Sequence, residues 1–153
     1  MWRGYFAFMH ISFAIFADAA NLSQEGKLNV LGVFDAVQVA GLPTIHPRTH
    51  FIVRLKASGD DVGSHKLGFR WLSPLDEELW SSTGEMNVAP APNPVFEVDL
   101  PIIAVVDLPL NRVGQYTMQV SLDDLPTATA RLFVSGPAHG GPMVAGAPNG
   151  MVS

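Results

Sequence analysis

Thr49-His50-Phe51-Ile52-Val53-Arg54-Leu55-Lys56-Ala57 and, shortly after it, His65-Lys66-Leu67-Gly68-Phe69-Arg70-Trp71-Leu72 decide the fold class. In the first run Phe51, Val53, Leu55 and Ala57 face one way, and His50, Arg54 and Lys56 the other. In the second, Leu67, Phe69 and Trp71 alternate with Lys66, Gly68 and Arg70. A period of two is the mark of a half-buried β-strand. Between them, Ser58-Gly59-Asp60-Asp61-Val62-Gly63 offers two glycines able to take positive φ. The two runs are therefore predicted to form a hairpin.

The pattern repeats outward. A second hairpin joins residues 65–72 to 78–88 through Ser73-Pro74-Leu75-Asp76-Glu77, where proline presets the φ of a type I turn. A third sets Tyr116, Met118, Val120 and Leu122 against a returning strand over 128–134, across Asp123-Asp124-Leu125-Pro126. Residues 27–34 and 95–106 read as further strands, with Gly32 marking a bulge or a close backbone approach. Turn signals every 8–12 residues predict an all-β, two-sheet sandwich of about seven to nine mostly antiparallel strands. The proline-rich Ala89-Pro90-Ala91-Pro92-Asn93-Pro94 cannot join a central strand and is predicted to cross between the sheets. Residues 1–135 are read as one sandwich domain, and the Gly/Pro/Ala-rich residues 136–153 as a flexible tail.

The N-terminus has two readings. Met1-Trp2-Arg3, an apolar stretch from Tyr5 and a small-x-small Ala17-Asp18-Ala19 fit a secretory signal. His10, Ser12 and Asp18 interrupt that stretch, and Ile11, Phe13, Ile15 and Ala17 fit one buried face of a first strand, the reading preferred here. The stretch is too short for a membrane span of about 20 residues.

Composition narrows the function. Nine Lys+Arg against 14 Asp+Glu, with no basic cluster, argue against a nucleic-acid partner. The absence of cysteine excludes disulfides, thiolate metal sites and cysteine nucleophiles. Charged residues make up only 15% of the chain, a sparsely charged surface that favours self-association. His46 and His50 have an H-x3-H spacing, which brings imidazoles together on a helix, but Pro47 and a strand from Thr49 make them diverge. The acid pairs Asp60-Asp61, Asp76-Glu77-Glu78 and Asp123-Asp124 sit at predicted hairpin tips, where solvent keeps them ordinary. No nucleophile elbow or phosphate loop occurs, and Ser64 and His65 point to opposite faces. No catalytic, cofactor-binding or metal-binding residue is therefore assigned, no cofactor is expected, and the chain is read as not an enzyme. Trp71 belongs to the core face, while Trp80 is ambiguous.

Gly26-Lys27-Leu28 with Leu31-Gly32-Val33-Phe34, Leu42-Pro43-Thr44-Ile45-His46-Pro47 and Gly114-Gln115-Tyr116 resemble an uncharacterised family of small bacterial and phage-associated proteins, a domain of unknown function. The resemblance spans roughly residues 13–134. It implies an immunoglobulin-like sandwich, favours the first-strand reading of the N-terminus and brings no activity or cofactor. Family-like hairpins carry Asp-Gly after the proline, where this chain has Asp76-Glu77. Tyr116 resembles the tyrosine that closes a sheet corner in immunoglobulin-like sandwiches. The functional expectation is a structural or protein-interaction domain, cytoplasmic or virion-associated, whose partner is another protein or a second copy, with neither nucleic acid nor membrane. A small-ligand or carbohydrate binder using loops at one end is the alternative, and a secreted protein follows if residues 1–19 are a signal.

Overall fold

The computed structural model describes residues 9–90 and 97–137. They form two packed sheets. The first has four strands in the order β2-β1-β4-β7, the second five in the order β3-β9-β8-β5-β6. The strands are β1 His10–Leu22, β2 Leu28–Phe34, β3 Ala36–Gln38, β4 Thr44–Ala57, β5 Gly63–Leu72, β6 Glu78–Val88, β7 Val98–Leu110, β8 Gly114–Leu122 and β9 Leu125–Ser135. All pairings are antiparallel except β3 with β9. The expected β-sandwich is present, its last strand ending at Ser135; the predicted tail falls outside the described residues from 138 onward.

Two of the three predicted hairpins form. β5 pairs β6, and β8 pairs β9. The β8–β9 turn is tighter than predicted: Asp123 (φ 49°) and Asp124 (φ 69°) alone make it, and β9 starts at Leu125. Positive φ at both central residues is the two-residue turn whose twist matches its strands. In the β5–β6 turn Asp76 takes φ 61°, the left-handed position that glycine fills in an Asp-Gly turn, while its N–H donates to the Ser73 carbonyl at 2.9 Å.

The hairpin predicted between residues 49–57 and 65–72 is overturned. β4 lies in the first sheet and β5 in the second. Phe51, Val53 and Leu55 on one strand and Leu67 and Trp71 on the other share one buried cluster. Their apolar faces meet across the sandwich instead of lying side by side in one sheet. The connection holds a 3-10 turn, Gly59–Asp61, closed by a capping box between Ser58 and Asp61.

β1 also departs from expectation. It is a strand, as preferred, but its register slips between Ile11 and Phe13. A one-residue slip exchanges the faces. Ala14 and Phe16 therefore join the core, and Phe13, Ile15 and Ala17 fall on the side of the sheet facing away from β5 and β8. β1 pairs with β4 over His10–Ala17 and with β2 over Phe16–Leu22, so the residues of the supposed signal region from His10 onward are part of the four-stranded sheet.

Gly32 is a close approach, not a bulge, since the β1–β2 register runs through it unbroken. Its φ is 70°, and a Cβ there would collide with the Asp18 carboxylate. The proline-rich connection leads from β6 in one sheet to β7 in the other, as predicted, although residues 91–96 themselves lie outside the described residues. At the β7–β8 corner the buried Tyr116 hydroxyl accepts from the N–H groups of Asn111 (2.8 Å) and Arg112 (2.9 Å). The expected corner tyrosine is in place.

Candidate functional site

The turn acids have local structural partners. Asp61 Oδ2 accepts from the Ser58 N–H at 2.8 Å, Glu78 pairs with Arg70 at 2.7 Å, and Asp124 pairs with Lys66 Nζ at 2.7 Å. Asp123 does the most: Oδ1 accepts from the Lys66 N–H at 2.9 Å, and Oδ2 lies 2.7 Å from His65 Nδ1. The other ring nitrogen of His65 lies 2.6 Å from the Asp61 carbonyl. Both neighbours are acceptors, so the arrangement is complete only when His65 carries two protons. A His–Asp pair resembles half of a catalytic triad, but here the second nitrogen is already committed to a carbonyl.

The Asp123 hydrogen bond raises the His65 pKa against the opposing effect of partial burial, with the Asp61 carbonyl assisting. The Asp123 pKa is lowered, chiefly by His65 and then by the Lys66 N–H. The signs follow from linkage. The His65 contribution to stability is complete below its unfolded pKa of about 6.5 and is lost as pH rises through the higher folded value. The Asp123 contribution is present above about pH 3.9 and is lost as pH falls through the depressed folded value. His65→Ala is expected to cost about 1 kcal/mol at pH 5.5 and much less at pH 9, because the pair is near the surface and partly screened. Thermal melts of both proteins across that range check it.

The two histidines of the H-x3-H spacing separate. A register irregularity lies between His46 and Thr49. His46 sits on the inner side, its ring 5.6 Å from that of Phe34 and its Nδ1 2.7 Å from Thr49 Oγ1. His50 sits beside Ala17 and Val105 on the outer face. Among the described residues no group of three or more His, Cys, Asp or Glu side chains could hold a metal ion. Trp71 is in the core as expected. Trp80 pairs with it in register and is half-buried against the core, which resolves its ambiguity.

The two outer sheet faces differ in chemistry, and sequence reasoning missed this. On the five-stranded sheet the outward positions of β8 are Gln115, Thr117, Gln119 and Ser121, and Arg70 reaches both Glu78 and Gln119 across that face. On the four-stranded sheet the register aligns Val33, Ala17, His50 and Val105 in one outward row and Ile15, Ile52 and Ile103 in the next. Phe13 and Pro101 flank Arg54 in a third. Ala17 and Ile52, at the centre, are fully buried although they point away from the inter-sheet core. Leu31, Val33 and Val105 are 70%, 60% and 56% exposed. His50 Nδ1 is buried on this side with no hydrogen-bond partner. The face ends at a charged cluster in which Arg54 makes a two-toothed contact with Asp99, 2.7 Å at its shortest, joined by Lys56 at 3.5 Å. That contact holds the Asp99 carboxyl below its ordinary pKa.

No curated protein matches the chain. A model of one protein family, DUF6941, described as a family of unknown function, matches residues 12–135, from the start of β1 to the end of β9. With the match running through every strand of both sheets, the chain belongs to that family.

Proposed function

We propose that the chain is a non-catalytic protein-interaction domain that self-associates by stacking the outer face of its four-stranded sheet on that of a second copy. The observation that carries this reading is the contrast between the outer faces. One is mainly polar and linked by side-chain hydrogen bonds, with Phe133 exposed on it, while the other is mainly apolar, with His50 and Arg54 among its rows. A large apolar patch rimmed by charge is the usual form of a protein contact. The exposed apolar side chains of this face are Leu31, Val33 and Val105, which lie on its two flanking strands β2 and β7. The parallel β3–β9 edge and the Tyr116 corner support an immunoglobulin-like classification of this sandwich.

Light scattering during size exclusion tests the reading. The native chain is expected to run as a dimer at micromolar concentration. Val33→Glu combined with Val105→Glu is expected to give a monomer with an unchanged melting point, because both residues are exposed and outside the core cluster. A native chain that is monomeric throughout, or a double variant that still dimerises, overturns it.

A further inference from the structure

We propose a second, separate contact site: a slot along one lateral edge of the sandwich that accepts an extended peptide segment of another protein by strand addition to β9. The chain leaves the four-stranded sheet at Phe34 and enters the five-stranded sheet at Ala36, crossing at Asp35. That crossing leaves two strand edges open. Among the described residues, β3 covers β9 only from Phe133 to Ser135, and β2 covers β1 only from Phe16 to Leu22.

The open edge of β9 has defined hydrogen-bonding groups. The Phe133 N–H points to this edge, where it donates to the Asp35 carbonyl at 2.7 Å. Backbone groups alternate sides along a strand, so Arg131 and Thr129 direct their N–H and C=O groups to the same edge. The β8 pairing keeps its register over residues 128–134, so the alternation holds there, and it shifts only at the Val120/Ser121 irregularity. Beside these groups lies a cleft of about 430 Å³, open to solvent and lined by Ala14, Ile15 and Phe16 of β1 and Thr129, Ala130 and Arg131 of β9. Ala14 and Ala130 are small, so space remains between the sheets for side chains supplied from outside.

These features select the occupant. Unpaired N–H and C=O groups in a row call for an extended backbone, the mode in which a peptide adds a strand to a sheet edge. The open stretch over 128–132 admits about five residues, some 17 Å of strand. Alternate side chains then enter the mouth of the cleft beside the partly buried Ala14, since Phe16 and Ala130 are already covered. The others face outward beside Thr129 and Arg131. Arg131 has no ion-pair partner among the described residues, so an acidic side chain is preferred directly opposite it on the outward side, away from Asp35 at the end of the cleft next to β3. A second copy of β9 is a poor occupant. Paired along this edge, its turn would run into β3, which already fills the position beside residues 133–135.

The test uses the full chain and a synthetic probe, acetyl-Thr-Val-Glu-Val-Thr-Val-amide, in an NMR titration. Expected are saturable amide shifts centred on Thr129 and Arg131 and on the facing residues of β1. An N-methylated version, which cannot pair, is expected to cause none of them. Arg131→Glu is expected to weaken the probe about tenfold and to favour a lysine version over the glutamate one, a change of about 1.4 kcal/mol. Arg131 is exposed, so the variant is expected to fold normally. No saturable shift at millimolar probe, shifts elsewhere on the sandwich, or equal binding of the N-methylated peptide each overturns the proposal. Ile15 and Val33 belong to both the cleft and the outer face, so the shifts at Thr129 and Arg131 of β9, a strand of the other sheet, are the ones that separate this binding from dimerisation.

Discussion

Trp71→Ala is expected to lower the unfolding free energy by about 3–5 kcal/mol, enough to leave a marginally stable domain largely unfolded. The side chain is fully buried on β5, an interior strand of the five-stranded sheet between β8 and β6. Its ring stacks on Tyr116 with centroids 5.2 Å apart and planes 17° apart, and meets Phe16 of the other sheet edge-on at 6.0 Å. Its Nε1–H donates to the Pro109 carbonyl at 2.9 Å, tying β5 to β7 across the sandwich. Truncation removes both ring contacts, opens a cavity between the packed sheets, and leaves the part-buried Pro109 carbonyl without its donor. Trp71→Phe separates the contributions. It keeps an aromatic ring but not the hydrogen bond, so a loss of about 1–2 kcal/mol is expected. Urea unfolding followed by circular dichroism checks both values. A loss below about 1 kcal/mol for Trp71→Ala would mean that the two sheets do not depend on this contact.

The features legible in the sequence share one property: they are local. Alternation identified the strands around Phe51, Leu67 and Tyr116, and turn chemistry identified the β5–β6 and β8–β9 hairpins. Pairing between distant segments was not legible. Residues 49–57 and 65–72 alternate equally well whether they lie side by side or face each other, because period two reports burial of a face and not what buries it. The β1 bulge was invisible for a related reason: Phe13, Ala14, Ile15 and Phe16 are all apolar, so no polarity step marks the slip. β3, three residues long and paired in parallel, is too short to carry a pattern. The apolar outer face was the largest omission. Its rows draw on β1, β2, β4 and β7, and Ile15, Ile52 and Ile103 become neighbours only when register brings them together. One signal was available. Ile52 lies within an unbroken apolar run from Phe51 to Val53, and a strand apolar on both faces has something to bury on each.

Phe16→Ala is the second large effect, with an expected loss of about 3–5 kcal/mol, and it bears on what β1 is for. Phe16 is 1% exposed and touches three rings, Phe34, Phe51 and Trp71, at 6.2, 5.1 and 6.0 Å. Three of these four rings, Phe16, Phe34 and Phe51, come from three different strands of one sheet, and Trp71 comes from the facing sheet. Phe16 therefore joins the N-terminal strand both to its neighbours and across the core. If residues 10–22 were a detachable leader resting on a complete domain, Phe16→Ala would cost little, and a chain starting after Ala19 would fold. If β1 is an interior strand, both changes are expected to be severe, because β2 and β4 meet only through β1. A double-mutant cycle with Trp71→Phe sharpens the distinction. Residues in contact couple by about 0.5–3 kcal/mol, whereas independent sites add. Coupling in that range would place the Phe16 and Trp71 rings in one cooperative core, and strict additivity would show that the two sheets are stabilised separately.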